Sequence, residues 1–187
     1  HQFDDFPIPH HTARLLDVGF RMAVTRGADG PQDEEWRSVL VTIGQDAEYR
    51  MRFEEYSGPL VFNYILRDRD NPRSVLSMFN EARNNARGVR TTITREVWEA
   101  TNEGWLMLSG LMSRPVRESN LIEVLGAVRR SATLVRGAIE GSMLRNEVYN
   151  FSRIGTFIER ADNTARILDV KYYVLLPSVA LVGSDLD

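Results

Sequence analysis

The sequence has 187 residues, of which 43% are hydrophobic and 26% charged, and its net charge is −3. These values are ordinary for one globular domain and argue against nucleic-acid binding through bulk charge. There is no cysteine, and all three histidines lie in the first eleven residues. From Thr12 onward this excludes Ser-His-Asp catalysis, Cys-His catalysis and ordinary zinc sites.

Metal, cofactor and membrane signals are also absent from the sequence. A metal ion would have to be held by oxygen ligands alone, and we predict no metal and no other cofactor. No apolar run approaches the roughly 18 residues of a membrane-spanning helix, and no signal peptide is visible. We therefore expect a cytoplasmic protein that binds neither membranes nor nucleic acids.

The first eleven residues differ from the rest of the chain. Residues 1–11, "HQFDDFPIPHH", contain Pro7 and Pro9, which are incompatible with a helix. We interpret them as a tag or a displaced terminus outside the fold. Thr12 then enters a helical pattern directly, and we expect residues 12–187 to form a single α-helical domain that is incomplete at both ends.

Helical periodicity continues in segments along the chain. Leu60 to Leu66 is a compact apolar run after the break "SGP", and we predict a short buried helix there. Pro72 suits a first helical position, Gly141 marks a helix end or kink, and the last helix should run to about Leu176. Predicted helix starts, mostly from capping residues, are Asp33, Asp46, Asn71, Thr94, Asn120 (with Glu123) and Asn146.

The apolar residues of these segments recur at steps of three and four, which predicts their buried faces. No alternating strand pattern is convincing. We predict an all-α bundle of about six or seven helices with a long C-terminal helix and no significant sheet. The predicted core positions include Trp36, Val39, Leu40, Ile43, Val75, Phe79, Ala82, Ala86, Val89, Trp98, Trp105, Leu108, Met112, Ile122, Leu125, Ala132, Val135 and Ile139.

The chain contains an internal repeat. "TARLLDVGFRMAV" begins at Thr12 and "TARILDVKYYVLL" begins at Thr164, and six of the thirteen positions are identical. Each copy has an apolar seam with a polar row at its edge. In the last helix the row is Glu159, Asp162, Arg166 and Asp169, at i, i+3, i+7 and i+10. Arg14 and Asp17 of the early copy match Arg166 and Asp169 of the late copy.

Two interpretations of this polar row stay open. The charges can form an interhelical network that locks two similar helices together. Alternatively they converge on a ligand, with arginines for an anion and carboxylates for an amine or magnesium. Arg83, Arg87 and Arg90, at i, i+4 and i+7 on one helix, are available partners and secondary candidates for anion binding.

The stretch "SRIGTFIERADNTARILDVKYYVLLPS", from Ser152, resembles the signature of the Alpha-E family, a bacterial all-helical domain named for its Glu-Arg motif. Here that motif is Glu159-Arg160, followed by Asp162 and Asn163. The segments "EEWRSVLVTIGQDAEYR", "LRDRDNPRSV" and "ITREVWEATN" also follow the family's order. The resemblance implies a partner of the ATP-grasp ligase type, or its peptide substrate, in an amide-bond-forming system that often includes a transglutaminase-like protease.

Three functions are compatible with these observations. The absence of a nucleophile–base motif favours a helical accessory or binding module of such a ligase system over an enzyme. An enzyme of the same pathway, with an acid/base or anion-binding site at the Glu-Arg motif, is the first alternative. A purely structural scaffold is the second. The sequence also leaves homo-oligomerisation open.

Overall fold

The computed structural model describes residues 32–150, 152–154, 157, 161 and 164–165. Within this part every regular element is a helix and none is a strand, which confirms the all-α prediction. Residues 147–150 and the described residues after them are also helical. The bounded helices are α1 (Gln32–Thr42), α2 (Asp46–Arg50), α3 (Gly58–Arg67), α4 (Val75–Gly88), α5 (Arg95–Leu111) and α6 (Glu118–Ser142).

Several helix starts were predicted correctly because the signal is local. The Thr94 side chain accepts a hydrogen bond from the Val97 amide, at 3.3 Å, and caps α5. Asn146 accepts one from the Tyr149 amide, at 3.2 Å, where the helical residues from 147 begin. Each side chain satisfies one of the backbone amides that a helix leaves unpaired in its first turn.

The predicted start of α4 at Asn71 and Pro72 is wrong. The helix begins at Val75, and Ser74 is its N-cap, accepting a hydrogen bond from the Ser77 amide at 3.2 Å. Asn71 is instead 3% exposed and directs its side chain into the protein interior. The Asn71 side chain, which the local pattern predicted to cap the helix, instead forms a hydrogen bond with Gln45, a residue distant in sequence.

Two other predicted caps also have to be corrected. Asp33 lies inside α1, which already includes Gln32. Helix α6 begins at Glu118, and the Asn120 side chain reaches back to accept the Arg117 amide at 2.8 Å. Asn120 is thus the third helical residue of a capping arrangement and not its first.

The core is formed by α1, α3, α4, α5 and α6. Helix α5 packs against α4 on one side and α6 on the other, and α3 packs against α1 and α4. Almost all predicted core positions are buried or partly buried. The main cluster includes Leu40, Phe62, Ile65, Leu108, Leu121 and Leu125, and a second cluster at the far end of α5 and α6 contains Val97, Val135, Ile139 and Met143.

Ile122 is the exception, with 57% of its surface exposed. The buried face of α6 runs through Leu121, Val124, Leu125 and Val128. Ile122 follows Leu121 by one residue, which rotates it by about 100° around the helix axis and out of that face. The prediction of Ile122 as a core position is therefore wrong, and Leu121 occupies the buried face in its place.

The described helices contain none that is both long enough and apolar enough to cross a membrane. The early repeat copy and the predicted helix end near Leu176 lie outside the described residues.

Candidate functional site

The principal candidate residues from the sequence are not among those that the structure describes. They are Glu159, Arg160, Asp162, Asn163, Arg166, Asp169, Arg14 and Asp17. The choice between an ionic network and a ligand site at these positions therefore remains a prediction.

The secondary candidates Arg83 and Arg90 lie against tryptophans of α5. The Nε of Arg83 donates to the Asn102 side-chain oxygen at 2.7 Å, and its guanidinium carbon lies 4.6 Å from the centre of the Trp105 ring. Arg90 lies 5.5 Å from the Trp98 ring in the same way. The Arg83 contact joins α4 to α5, and the Arg90 contact joins the connection after α4, which ends at Gly88, to α5. Arg87 is exposed.

The connection between α3 and α4 is organised by the buried Asn71. Its amide nitrogen donates to the Gln45 side-chain oxygen at 2.9 Å and to the Tyr64 carbonyl at 3.1 Å. Its oxygen accepts the Arg73 amide at 2.9 Å. The single side chain thus fixes α3, the connection before α4 and the residue that precedes α2, so the segment "LRDRDNPRSV" has a clear structural role.

Two arginines of that segment bind carbonyls near the ends of other helices. Arg67 donates to the Met112 carbonyl, just after α5, at 2.9 Å. Arg73 donates to the carbonyls of Gly44 and Ile43, just after α1, at 2.8 and 3.0 Å. Helix C-termini carry unpaired carbonyls and a partial negative charge, so a guanidinium is well placed at both.

A cluster of aromatic side chains packs beside the connection between α3 and α4. Tyr49 stacks on Phe53 and Tyr56, with ring centres 4.8 and 5.4 Å apart, and meets Tyr64 edge to face. Its hydroxyl donates to the Glu55 carbonyl at 2.6 Å. Burial, with smaller contributions from neighbouring groups, raises the pKa of Tyr49 to about 12. Tyr49 therefore stays protonated at neutral pH and acts as a hydrogen-bond donor.

The acidic residues of this region have basic partners. Arg52 binds Asp68 at 2.8 Å and lies over the rings of Phe53 and Tyr64. Asp46 accepts the Tyr56 hydroxyl at 2.6 Å. Burial first, and then that hydrogen bond, raise the pKa of Tyr56. No group of three or more acidic or histidine side chains able to hold a metal ion occurs in the described residues.

Two clefts lie on the surface beside α3, α4 and α5. One cleft of about 450 Å³ lies between α3, the connection after it and the end of α5. A second, of about 440 Å³, lies between α4 and α5. Both clefts are lined by Arg69, Leu76 and Ser109, so the two clefts adjoin at Arg69, and together they are called the groove.

A family model described as a predicted alpha-helical domain with a conserved ER motif, Alpha-E, matches residues 10–186. The chain belongs to the Alpha-E family. Its sequence contains one Glu-Arg dipeptide, Glu159-Arg160. No curated protein and no solved structure was found to match the chain.

The groove of this Alpha-E chain was not predicted from its sequence. Its lining residues come from α3, α4, α5 and the connection after α3, and no local period relates them. The segment "LRDRDNPRSV" contains Arg67, Arg69 and Arg73, but the sequence does not say which of them binds a carbonyl and which is exposed.

Proposed function

We propose that this Alpha-E chain is a helical binding module of a bacterial ATP-grasp-associated peptide-ligase system and that it holds the peptide substrate of the ligase. The observation that carries the proposal is the groove formed by two adjoining clefts with Arg69 at their junction. Arg69 is exposed, and no described residue forms an ion pair with it. The Alpha-E resemblance supplies the class of partner, and the groove supplies a surface on which a peptide can lie.

The lining of the groove suits a peptide. Ligand clefts commonly have volumes of about 300–1,000 Å³ and combine apolar walls with a few polar groups. Here Leu60 provides exposed apolar surface and Ser109 a hydroxyl group, while Leu76 and Met112 line the cleft with little exposed area. Such a mixture can hold both the backbone and the side chains of an extended segment.

The groove also has features of a binding surface in preference to a catalytic one. Its acid Asp68 is engaged by Arg52 at 2.8 Å. The amide of Asn63 contacts the carbonyls of Pro59 and Val116, at 2.7 and 2.9 Å. Both groups therefore hold parts of the structure together and are not available as a general base or a nucleophile.

Co-purification with the ATP-grasp protein of the same bacterium tests this proposal. The full chain, expressed with the ligase, should elute with it from a size-exclusion column as a complex of both proteins. Addition of the peptide substrate should tighten the complex. Separate elution at micromolar concentrations, with and without the peptide, would contradict the proposal.

A further inference from the structure

Two opposite charges line the second cleft of the groove without pairing with each other. Arg69 lies at the junction and Glu81 lies on α4, and both residues are exposed. Neither forms an ion pair with any residue in the described part of the chain. A guanidinium and a carboxylate in one cleft that do not neutralise each other are both free to bind groups of a ligand.

The other charged groups near the groove are already engaged. Asp68 binds Arg52, and Arg67 donates to the Met112 carbonyl. Arg83, close to the far end of this cleft, donates to Asn102 and lies over Trp105. Arg69 and Glu81 are therefore the charges that the described groove offers to a ligand, and they have opposite signs.

We propose that this cleft is a subsite for a peptide carboxylate. Arg69 binds the carboxylate, and Glu81 accepts hydrogen bonds from a backbone amide or an amine of the same peptide. A guanidinium forms two parallel hydrogen bonds to a carboxylate, which favours that group over a neutral amide. This inference rests on the proposed function, because it names the class of peptide that the groove takes.

The remaining walls of the cleft fit the same occupant. Leu76, Pro72 and Trp105 provide apolar surface beside the two charges, and Ser77 and Ser109 provide hydroxyl groups. A phosphate group is a poorer match, because the carboxylate of Glu81 in the same cleft repels a dianion. The carboxylate belongs either to an acidic side chain or to a free C-terminus, and both present the same chemistry to Arg69.

Three short peptides of alanine and leucine distinguish these sources. The first has a central glutamate and blocked termini, the second has glutamine in its place, and the third is the glutamine peptide with a free C-terminal carboxylate. The affinity of the full chain for each peptide is measured by calorimetric titration. At least one carboxylate peptide should bind about tenfold more tightly than the blocked glutamine peptide. A ratio of this size is what one charge-assisted hydrogen-bonding contact contributes to binding. Whichever carboxylate peptide shows this preference identifies the source.

Variants then assign the preference to the groove. Arg69→Gln should remove it, and Glu81→Gln should weaken all peptides without changing their order. Arg145→Gln is the matched control, because Arg145 is also exposed but does not line either cleft. Since all three side chains are exposed, thermal unfolding should confirm that each variant folds as the wild type does.

Equal affinity of the wild type for all three peptides, or binding of none, would overturn the subsite. So would a preference that survives Arg69→Gln or that is lost in Arg145→Gln. The proposed function has a separate readout, because a complex with the ligase that forms although the wild type binds all three peptides equally would retain the binding module while rejecting the carboxylate subsite.

Discussion

Ser131 on α6 is buried, and its hydroxyl is the buried side-chain polar atom without a hydrogen-bond partner in the described structure. It lies where three helices meet, next to Gly104 of α5. A buried polar group without a partner costs about 1–3 kcal/mol. Ser131→Ala should therefore raise the free energy of unfolding by about 1 kcal/mol or more, helped by the higher helix propensity of alanine.

Thr101 provides the matched control for that measurement. It is as buried as Ser131, at 1% exposed, but its hydroxyl donates to the Val97 carbonyl at 2.8 Å. Thr101→Val removes a satisfied hydroxyl and should lower the free energy of unfolding by up to about 1 kcal/mol. Both changes are measured by urea denaturation. If the free energy of unfolding changes with the same sign in both variants, the presence of a hydrogen-bond partner does not decide the effect of removing the hydroxyl.

Tyr49 makes stability depend on pH in the alkaline range. Its pKa is raised from 10.0 to about 12, so the folded protein binds the proton more tightly than the unfolded chain does. The resulting stabilisation is fully present below pH 10 and is lost as the pH rises towards about 12. Tyr49→Phe should be less stable at pH 8, since it lacks the bond to Glu55, but should lose less stability between pH 10 and 12.

Chemical denaturation of wild type and variant across this pH range checks the sign. Tyr56 and Tyr64, whose pKa values are also raised with burial as the largest cause, give the wild type and the variant a common background. Parallel stability curves for the two proteins above pH 10 would contradict the assignment to Tyr49.

At the scale of elements, the contact between α1 and α3 depends on Gly58. A Cβ atom at this position would lie 3.0 Å from three atoms of the Trp36 indole, and Trp36 is itself buried. Because a buried indole is rigid and cannot move aside at little cost, Gly58→Ala should lower the free energy of unfolding by about 1–3 kcal/mol. Thermal or urea unfolding measures this change.

Gly137 of α6 is the control for the glycine substitution. A Cβ atom there meets nothing within 4 Å, and the residue is exposed. Gly137→Ala should raise the free energy of unfolding by up to about 1 kcal/mol through helix propensity alone. If Gly58→Ala is stabilising to the same degree, the close approach of α3 to Trp36 is not a constraint on the fold.

The connection between α3 and α4 should depend on Asn71 in the same way. Asn71→Ala leaves the Gln45 side chain and the Tyr64 carbonyl without this partner in a buried setting, and the Arg73 amide in a partly buried one. The free energy of unfolding, measured by urea denaturation, should fall by about 2–4 kcal/mol, because several groups lose a hydrogen bond at once. Asn84→Ala, on the exposed side of α4, should change stability little, and equal losses in both variants would remove the special role of Asn71.

Asn71 also shows where the sequence stops being informative about elements. Thr94 and the short helix at residues 60–66 were predicted correctly, because capping and apolar runs act within a few residues. Asn71 looked like a cap in sequence, but its partner Gln45 lies 26 positions away. Capping propensity cannot anticipate such a partner, and the tertiary hydrogen bond prevails because an unpaired buried amide is more costly than an exposed helix end.

The candidate site was less predictable than the fold for a related reason. The all-α class and most of the core follow from the 3.6-residue period, which is a property of each segment by itself. The groove exists only where α3, α4 and α5 meet, so Arg69, Glu81 and Ser109 carry no shared signal in sequence. For Arg83 and Arg90, the sequence indicated one helix face but not the tryptophans of α5 that they contact.

At the scale of the whole molecule, membership in Alpha-E and the groove at Arg69 support a single account. The helices provide a rigid frame, and the connection fixed by Asn71 presents Arg69 at the junction of two clefts. A binding module of this kind needs no nucleophile of its own. Its partner, in our proposal, is the ATP-grasp ligase together with the peptide that the ligase modifies.

Hydrogen–deuterium exchange of the full chain with and without the ligase and its peptide tests this account most directly. We predict slower exchange in residues 67–81 and 105–113, which border the groove, and unchanged exchange in residues 133–146 at the far end of α6. A complex that forms while exchange in residues 67–81 and 105–113 stays unchanged would contradict the claim that this groove is the binding surface.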